Sequence, residues 1–334
     1  MNAEELWTEF CFKKGIDIDT PYEAWAFGGE KDASDELAQL VLAGRKIGTA
    51  SLYDAYVAED ALDMIPKAGD YSVIMNSKEE ALCVVRDYDV YTRLFKEVSP
   101  FHAYSEGEGN RSLGCWREVH RAFFDQDALD TGVKFTEESK VICEKFSVEY
   151  VPGKETFDED ELIFVEPTML FSDEITAYRQ EMLDADSSFD GCFSMKGISD
   201  PKEYVDCCIN WANPSREPDE HGAWGTVLLA IRKSDMKMIG CMQIHNVLTQ
   251  RMRDYTGHVG YSVRPSERGH GYAKKMLAKA LDFLNAFGFE EVYVSCLPDN
   301  IASKKTILAN GGEFAETVFL ESDKVFLEKY RFIL

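Results

Sequence analysis

The sequence has no cysteine framework, no long apolar run and few positive charges, and each absence narrows what the protein can be. Its nine cysteines are scattered singly except for the neighbours Cys207 and Cys208. None form a CxxC pair, and with six histidines in the chain no Cys/His cluster has zinc spacing, so no metal is expected. An odd count without a framework points to reduced, mostly buried thiols. The longest uncharged apolar stretch, Trp224–Ile231, falls far short of the roughly 20 residues of a membrane helix. The opening MNAEELWTEF is acidic and lacks the basic and apolar regions of a signal peptide. The expectation is a soluble, cytoplasmic protein with no membrane partner. Thirty-six Lys and Arg stand against 60 Asp and Glu, a net charge of −24. Such a surface repels phosphate backbones and anionic lipid at long range, leaving room only for a small local basic pocket.

What is present is enough for two cores. Apolar residues make up 45% of the 334 and aromatics 12%, against a prior of about 150 residues per domain. The segment Pro152–Glu161 (PGKETFDEDE) follows a strand-like KFSVEYV and reads as a connector. The expected division is a domain at 1–152, a linker at 153–161 and a second domain at 162–334.

In the first half, Leu37, Leu40 and Val41 share one face of a helix expected over 33–43, which Gly44 stops. Strand-like runs follow at 71–75 (YSVIM) and 81–86 (ALCVVR). A polar loop at 105–112 leads into a helical LGCWREVHRAFF. Helices and strands mix without a βαβ rhythm, which favours an α+β, barrel-like domain. The second half opens with a helix-rich stretch at 172–213. Strands at 226–232, 238–245 and 258–263 then lead through the turn RPSERGHG to a helix over 272–287. That helix has Met276, Leu277, Ala280, Leu281 and Leu284 on one face. A strand at 291–296, a shorter helix to Asn310 and a last strand pair complete it.

The turn between the strand ending at Val263 and the long helix carries chemistry. Arg268, Gly269, His270, Gly271, Tyr272 and Ala273 open a helix whose first N–H groups are unpaired and at the positive dipole end. Glycines let phosphate oxygens approach the backbone. A tight turn using glycine for sterics alone accounts for the spacing equally well. A dinucleotide fingerprint would want a third glycine where Lys274 stands, and a Walker loop would need Gly-Lys-Ser/Thr. The order strand, R-x-x-G-x-A at Arg268–Ala273, helix, strand, Asn300, helix, Gly312 and Phe314 resembles the GNAT superfamily of N-acetyltransferases over 162–334. The resemblance implies a mixed α/β fold with a splayed central sheet and acetyl-CoA as co-substrate. It also implies pantetheine pairing at Val263, diphosphate binding on the loop, and cofactor contacts from Asn300 and Ser303.

Acetyl transfer requires a neutral amine. With a pKa of about 10.4, an alkyl amine is neutral about once in 10³ at pH 7, a handicap of roughly 4–5 kcal/mol. The family's usual glutamate falls on Gly257, so His258 is the first candidate base and His245 the second, although a strand histidine satisfying a structural hydrogen bond is the commoner case. The family's acidic tyrosine falls on Ile307, which leaves water or Tyr261. The acidic surface favours a cationic acceptor, a small molecule or a peptide amine.

In the first half, Gly44, Lys46 and Thr49 form a G-x-K-x-x-T pattern that also reads as an ordinary helix cap followed by a strand. With WAFGG (25–29), GDYSVIM (69–75) and HAYSEGEGNRSLGCWREVHRAFF (102–124), it resembles the ASCH domain family across about 20–150. The resemblance implies a nucleoside or RNA-like ligand. In relatives that remove the acetyl group from N4-acetylcytidine, Lys46 would be a lysine of lowered pKa that deprotonates Thr49, with Glu106 as the acid. Arg45, Arg111, Arg117 and Arg121 are candidates for making the pocket locally positive. Three readings stand: an acetyltransferase fused to a recognition domain, a non-catalytic CoA-binding or sensing protein, and an ASCH amidohydrolase with an accessory GNAT half.

Overall fold

A computed structural model describes residues 1–28, 31–154, 160–216 and 224–334. They form two compact units, Met1–Phe157 and Asp158–Leu334. Part of the expected linker, 155–159, lies outside the described residues, as does Gly29 of WAFGG.

The first unit begins with α1 (Ala3–Lys14), closed by a reciprocal Asn2/Glu5 capping box and by Gly15 in the left-handed region. Then come β1 (Tyr22–Trp25), α2 (Lys31–Leu42), β2 (Gly48–Leu52), α3 (Tyr53–Ala58), β3 (Tyr71–Met75), β4 (Ala81–Leu94), α4 (Pro100–Glu106), α5 (Leu113–Thr131) and β5 (Lys140–Tyr150). Five strands in the order β1-β3-β4-β5-β2 make a curled half-barrel. Only β1–β3 is parallel. Leu6, Trp7 and Phe10 of α1 pack on Val73 and Val84. Elsewhere Trp116 and Phe124 of α5 pack with Phe95 on Leu52 and Val141. In β4 the register slips between Asp87 and Asp89, a bulge that re-aims the side chains around it.

The second unit comprises β6 (Leu162–Val165), α6 (Ser172–Asp184), α7 (Pro201–Ala212), β7 (Trp224–Arg232), β8 (Lys237–Val247), β9 (Val259–Val263), α8 (Tyr272–Phe287), β10 (Glu291–Cys296), α9 (Ile301–Ala309), β11 (Glu313–Leu320) and β12 (Val325–Ile333). Its strands separate into two sheets, β6-β7-β8-β9 and β10-β12-β11. Among the described backbone contacts, the sheets meet only where β9 is about to begin. There His258 N donates to Tyr293 O at 2.7 Å, and Gly257 bridges Val294. Beyond that point β9 and β10 part, leaving an open wedge. The α8 residues expected to face inward, Met276, Leu277, Ala280, Leu281 and Leu284, are all buried. No helix among the described residues is long and apolar enough to cross a membrane.

Candidate functional site

The loop from β9 to α8 is built to receive something. Gly269 and Gly271 have φ of +89° and +81°, and a Cβ on either would meet nothing within 4 Å. Positive φ makes glycine the natural residue here, and the empty space in front leaves the backbone approachable. Among the described hydrogen bonds, the N–H groups of Gly269, His270, Gly271, Tyr272 and Ala273 donate to none. Five unpaired donors at the start of a 16-residue helix form an anion cradle. Side chains fix its shape. Arg268 Nε donates to the Val263 carbonyl at 3.0 Å. The buried Tyr272 donates its hydroxyl to Asp160 Oδ1 at 2.6 Å and accepts from Arg232 at 3.2 Å.

Other sequence-derived residues gather at the wedge. Asn300 caps α9, its Oδ1 accepting from Ser303 N at 3.0 Å. The Tyr261 hydroxyl lies 3.1 Å from Ser303 Oγ, linking a strand of one sheet to the helix that follows the other. Burial, partly offset by that Ser303 contact, holds the phenol above its usual pKa. Glutamate could not replace Gly257, because φ is +79° and a Cβ would overlap the Tyr293 carbonyl. Ile307, at the family's tyrosine position, is fully buried against Gly312.

The two histidines depart from the pKa near 6.5 expected of them. His258 is 3% exposed and its Nδ1 accepts from Tyr293 N at 3.0 Å. Burial lowers it to about 4, with the Arg253 and Lys329 charges adding to the effect. His245 also falls to about 4 through burial and the neighbouring His258, and its ring stands edge-on to Trp211 at 5.5 Å. Both are neutral at physiological pH and weak as bases.

In the first unit Lys46 and Glu106 meet, each 1% exposed at its side chain. Lys46 Nζ lies 3.0 Å from Glu106 Oε2 and 2.6 Å from Glu108 Oε1. Glu106 also accepts from Trp116 Nε1 at 2.8 Å and His102 Nε2 at 3.0 Å, with His120 Nε2 at 3.4 Å. The lowered lysine pKa anticipated from partial desolvation does not occur. Burial alone would depress it, but the two carboxylates outweigh burial and hold it raised. Burial would raise Glu106, yet Lys46, His120 and His102 hold it well below the carboxylate range. His102, driven to about 4 by burial and by Lys145, stays neutral and donates from Nε2.

Thr49 is not in this network, and no described hydrogen bond joins it to Lys46. It sits on β2 opposite Glu144 of β5 and lines a cavity of about 520 Å³. The four arginines are engaged elsewhere: Arg45 with Gly109 O, Arg117 with Lys96 O, Arg121 with Glu137 and Arg111 over Tyr104. None of them lines the cavity. Glu108, Trp116 and His120 lie in the same segment 102–124 as Glu106, but nothing in its local pattern marks them as facing Lys46 and Glu106.

Two antiparallel sheets that part at a wedge, with an anion cradle on the loop from β9 to α8, make up the candidate site of the second unit, and a five-stranded sheet makes up the first. Family comparison is consistent with this: a model of the ASCH domain matches residues 23–150, and a model of the Acetyltransferase (GNAT) domain matches residues 178–313. No curated protein matches the chain. Among solved structures, the ASCH domain from Lactobacillus crispatus is 28% identical, covering 43% of this chain and 94% of that one, with a TM-score of 0.39. Protein EF3133 from Enterococcus faecalis is 29% identical over 47% of this chain and 98% of its own, TM-score 0.41. The Microcin C7 self-immunity acetyltransferase MccE, solved with acetyl-CoA and AMP, is 16% identical over 52% of this chain and 93% of its own, TM-score 0.40.

Proposed function

We propose that the C-terminal unit transfers the acetyl group of acetyl-CoA to a primary amine. The observation carrying this reading is the cradle of five unpaired N–H groups from Gly269 to Ala273, beside the wedge between β9 and β10. Charge-assisted N–H contacts contribute roughly 1.5–3 kcal/mol each, so three or four anchor a diphosphate. Val263, Asn300 and Ser303 border the path toward the reacting end, where the bound co-substrate supplies an acetyl thioester. Tyr261 is the candidate donor of a hydrogen bond to the departing thiolate. His258 Nδ1 is taken by Tyr293 N, which leaves only an N–H donor on that ring. His245, whose Nδ1 has no described partner, is therefore the candidate for accepting a hydrogen bond from the amine, and the fraction of amine already neutral governs the rate. Thiol release from acetyl-CoA across a panel of small-molecule and peptide amines tests this. Release with no amine above background would leave a CoA-binding or sensing protein.

For the N-terminal unit we favour recognition of a nucleoside-like ligand over hydrolysis. The specific observation is that Lys46 and Glu106 neutralise each other while Thr49 stands outside their bonds. Incubation with N4-acetylcytidine tests this reading: deacetylation abolished by Thr49→Ala would overturn it.

A further inference from the structure

The cavity beside Thr49 has walls of an unusual kind. Glu23 of β1, Asp63 and Asp70 of the segment between α3 and β3, Asp87 at the β4 bulge and Glu144 of β5 all line it. Among the described residues no lysine, arginine or histidine does. Two of these acids are deeply placed. Asp87 is 7% exposed and Glu144 8%, and among the described residues neither side chain has a hydrogen-bond or ion-pair partner. Buried carboxylates are ordinarily paired, because an unpaired one is costly to desolvate. Here two face the same space with nothing to answer them. Four aromatic residues, Tyr22, Trp25, Tyr56 and Tyr71, line it as well, among small polar and apolar side chains. Tyr22 is held in place by stacking on Trp7 at 4.4 Å.

We propose that this cavity binds a small organic cation, an ammonium or amidinium group carried on an aromatic or apolar body. Such a ligand answers both features of the wall. Its N–H donors pair with Asp87 and Glu144, and its body lies against rings whose faces attract cations. A volume of about 520 Å³ is that of a small-molecule pocket rather than an ion site. A phosphate-bearing ligand is disfavoured, since among the described lining residues are five acids and no lysine, arginine or histidine to pair with it. The proton affinity of the empty site is consistent with this reading. Burial, with Asp70 and Glu23 nearby, raises Asp87 to about 7. Burial and Asp87 hold Glu144 well above the carboxylate range. The cavity thus holds protons where it lacks a cation.

The proposal rests on reading the N-terminal unit as a binding module, and it can fail while that reading survives. The test is calorimetric titration of the full chain, without acetyl-CoA, with benzamidine, its neutral isostere benzamide and the anion benzoate. Benzamidine is expected to bind at least tenfold tighter than benzamide, with benzoate undetected. Glu144→Gln and Asp87→Asn should each weaken benzamidine at least tenfold while melting no lower than the parent, since each replaces an acid whose ionised form is penalised by burial with a neutral side chain of the same shape. Equal affinity for benzamidine and benzamide would overturn the proposal. So would benzamidine binding that both folded variants leave unchanged, which would put the amidine elsewhere on the chain. N4-acetylcytidine turnover, by contrast, would overturn the binding-module reading.

Discussion

Replacing Gly271 by alanine separates the cradle from the helix it opens. At φ +81° an L-residue costs roughly 1–2 kcal/mol in the folded state. Nothing within 4 Å of the new Cβ adds a clash, so the loss of stability should stop there. The methyl group instead occupies open space on the loop that carries the unpaired N–H groups. Holding a diphosphate off even one of them removes a charge-assisted contact of roughly 1.5–3 kcal/mol, or about 10- to 100-fold in affinity. Gly288 supplies the control at the other end of α8, with φ +104° and likewise nothing within 4 Å. Gly288→Ala carries the same kind of backbone strain without approaching the cradle. Calorimetric titration of acetyl-CoA into both folded variants should show the loss in Gly271→Ala alone. Parental affinity in Gly271→Ala, or an equal loss in Gly288→Ala, would refute the assignment of the loop.

Three further outcomes follow from the titrating groups. Asp87 has a folded pKa of about 7, so the folded state holds its proton more tightly and stability falls as pH rises from about 4 to about 7. Asp87→Asn should therefore stabilise the chain at pH 8, by up to about 4 kcal/mol, and scarcely at pH 4, with a pH-independent gain in thermal unfolding counting against the reasoning. Lys46→Met leaves Glu106 buried without its cation and should destabilise the protein by about 3–5 kcal/mol in urea unfolding. Because Glu106 is depressed in the folded state, the parent's advantage should be present above about pH 4.3 and fade as acid protonates that carboxylate, so an advantage unchanged through that range would contradict the assignment. His258→Ala orphans the Tyr293 N–H and should cost about 1–3 kcal/mol of stability. Its kcat should remain within threefold of the parent, and a limb of the rate profile near pH 6.5 that vanishes in the variant would restore His258 as the base.

How far the sequence revealed this depended on whether local signals agreed. The helix expected over 272–287 and the strands over 71–75 and 291–296 appear with those bounds, because amphipathic pattern and glycine punctuation coincide there. The helix expected over 33–43 runs from Lys31 to Leu42, a boundary difference of the usual kind. The strand expected over 81–86 instead runs to Leu94, through Arg86, Asp87 and Asp89. Charged residues inside a strand broke the apolar pattern, so the reading stopped at the point where the acidic cavity begins. Local rules are broken most often where a ligand is accommodated. The loop residues Arg268–Ala273 were legible because their meaning is local. The partners of Glu106 come from α4, α5 and the turn before β2, and no single stretch of sequence brings them together.

The protonation of that network bears on what the N-terminal unit can do. A hydrolase using these residues would need a neutral Lys46 to take the Thr49 proton and a protonated Glu106 to give one up. The buried pair is in the opposite state. From reference values alone, moving a proton from the lysine ammonium to the glutamate carboxylate, as that hydrolase would need, costs roughly 8 kcal/mol. Both shifts enlarge that figure, since Lys46 is raised and Glu106 lowered. Four side chains, Lys46, His102, Trp116 and His120, converge on one carboxylate. Bonds of this kind tie α4, α5 and the turn before β2 together. None of these network residues is among those lining the cavity, so a ligand entering it meets Thr49, Glu144 and Asp87 and no poised base, which is the arrangement expected of recognition.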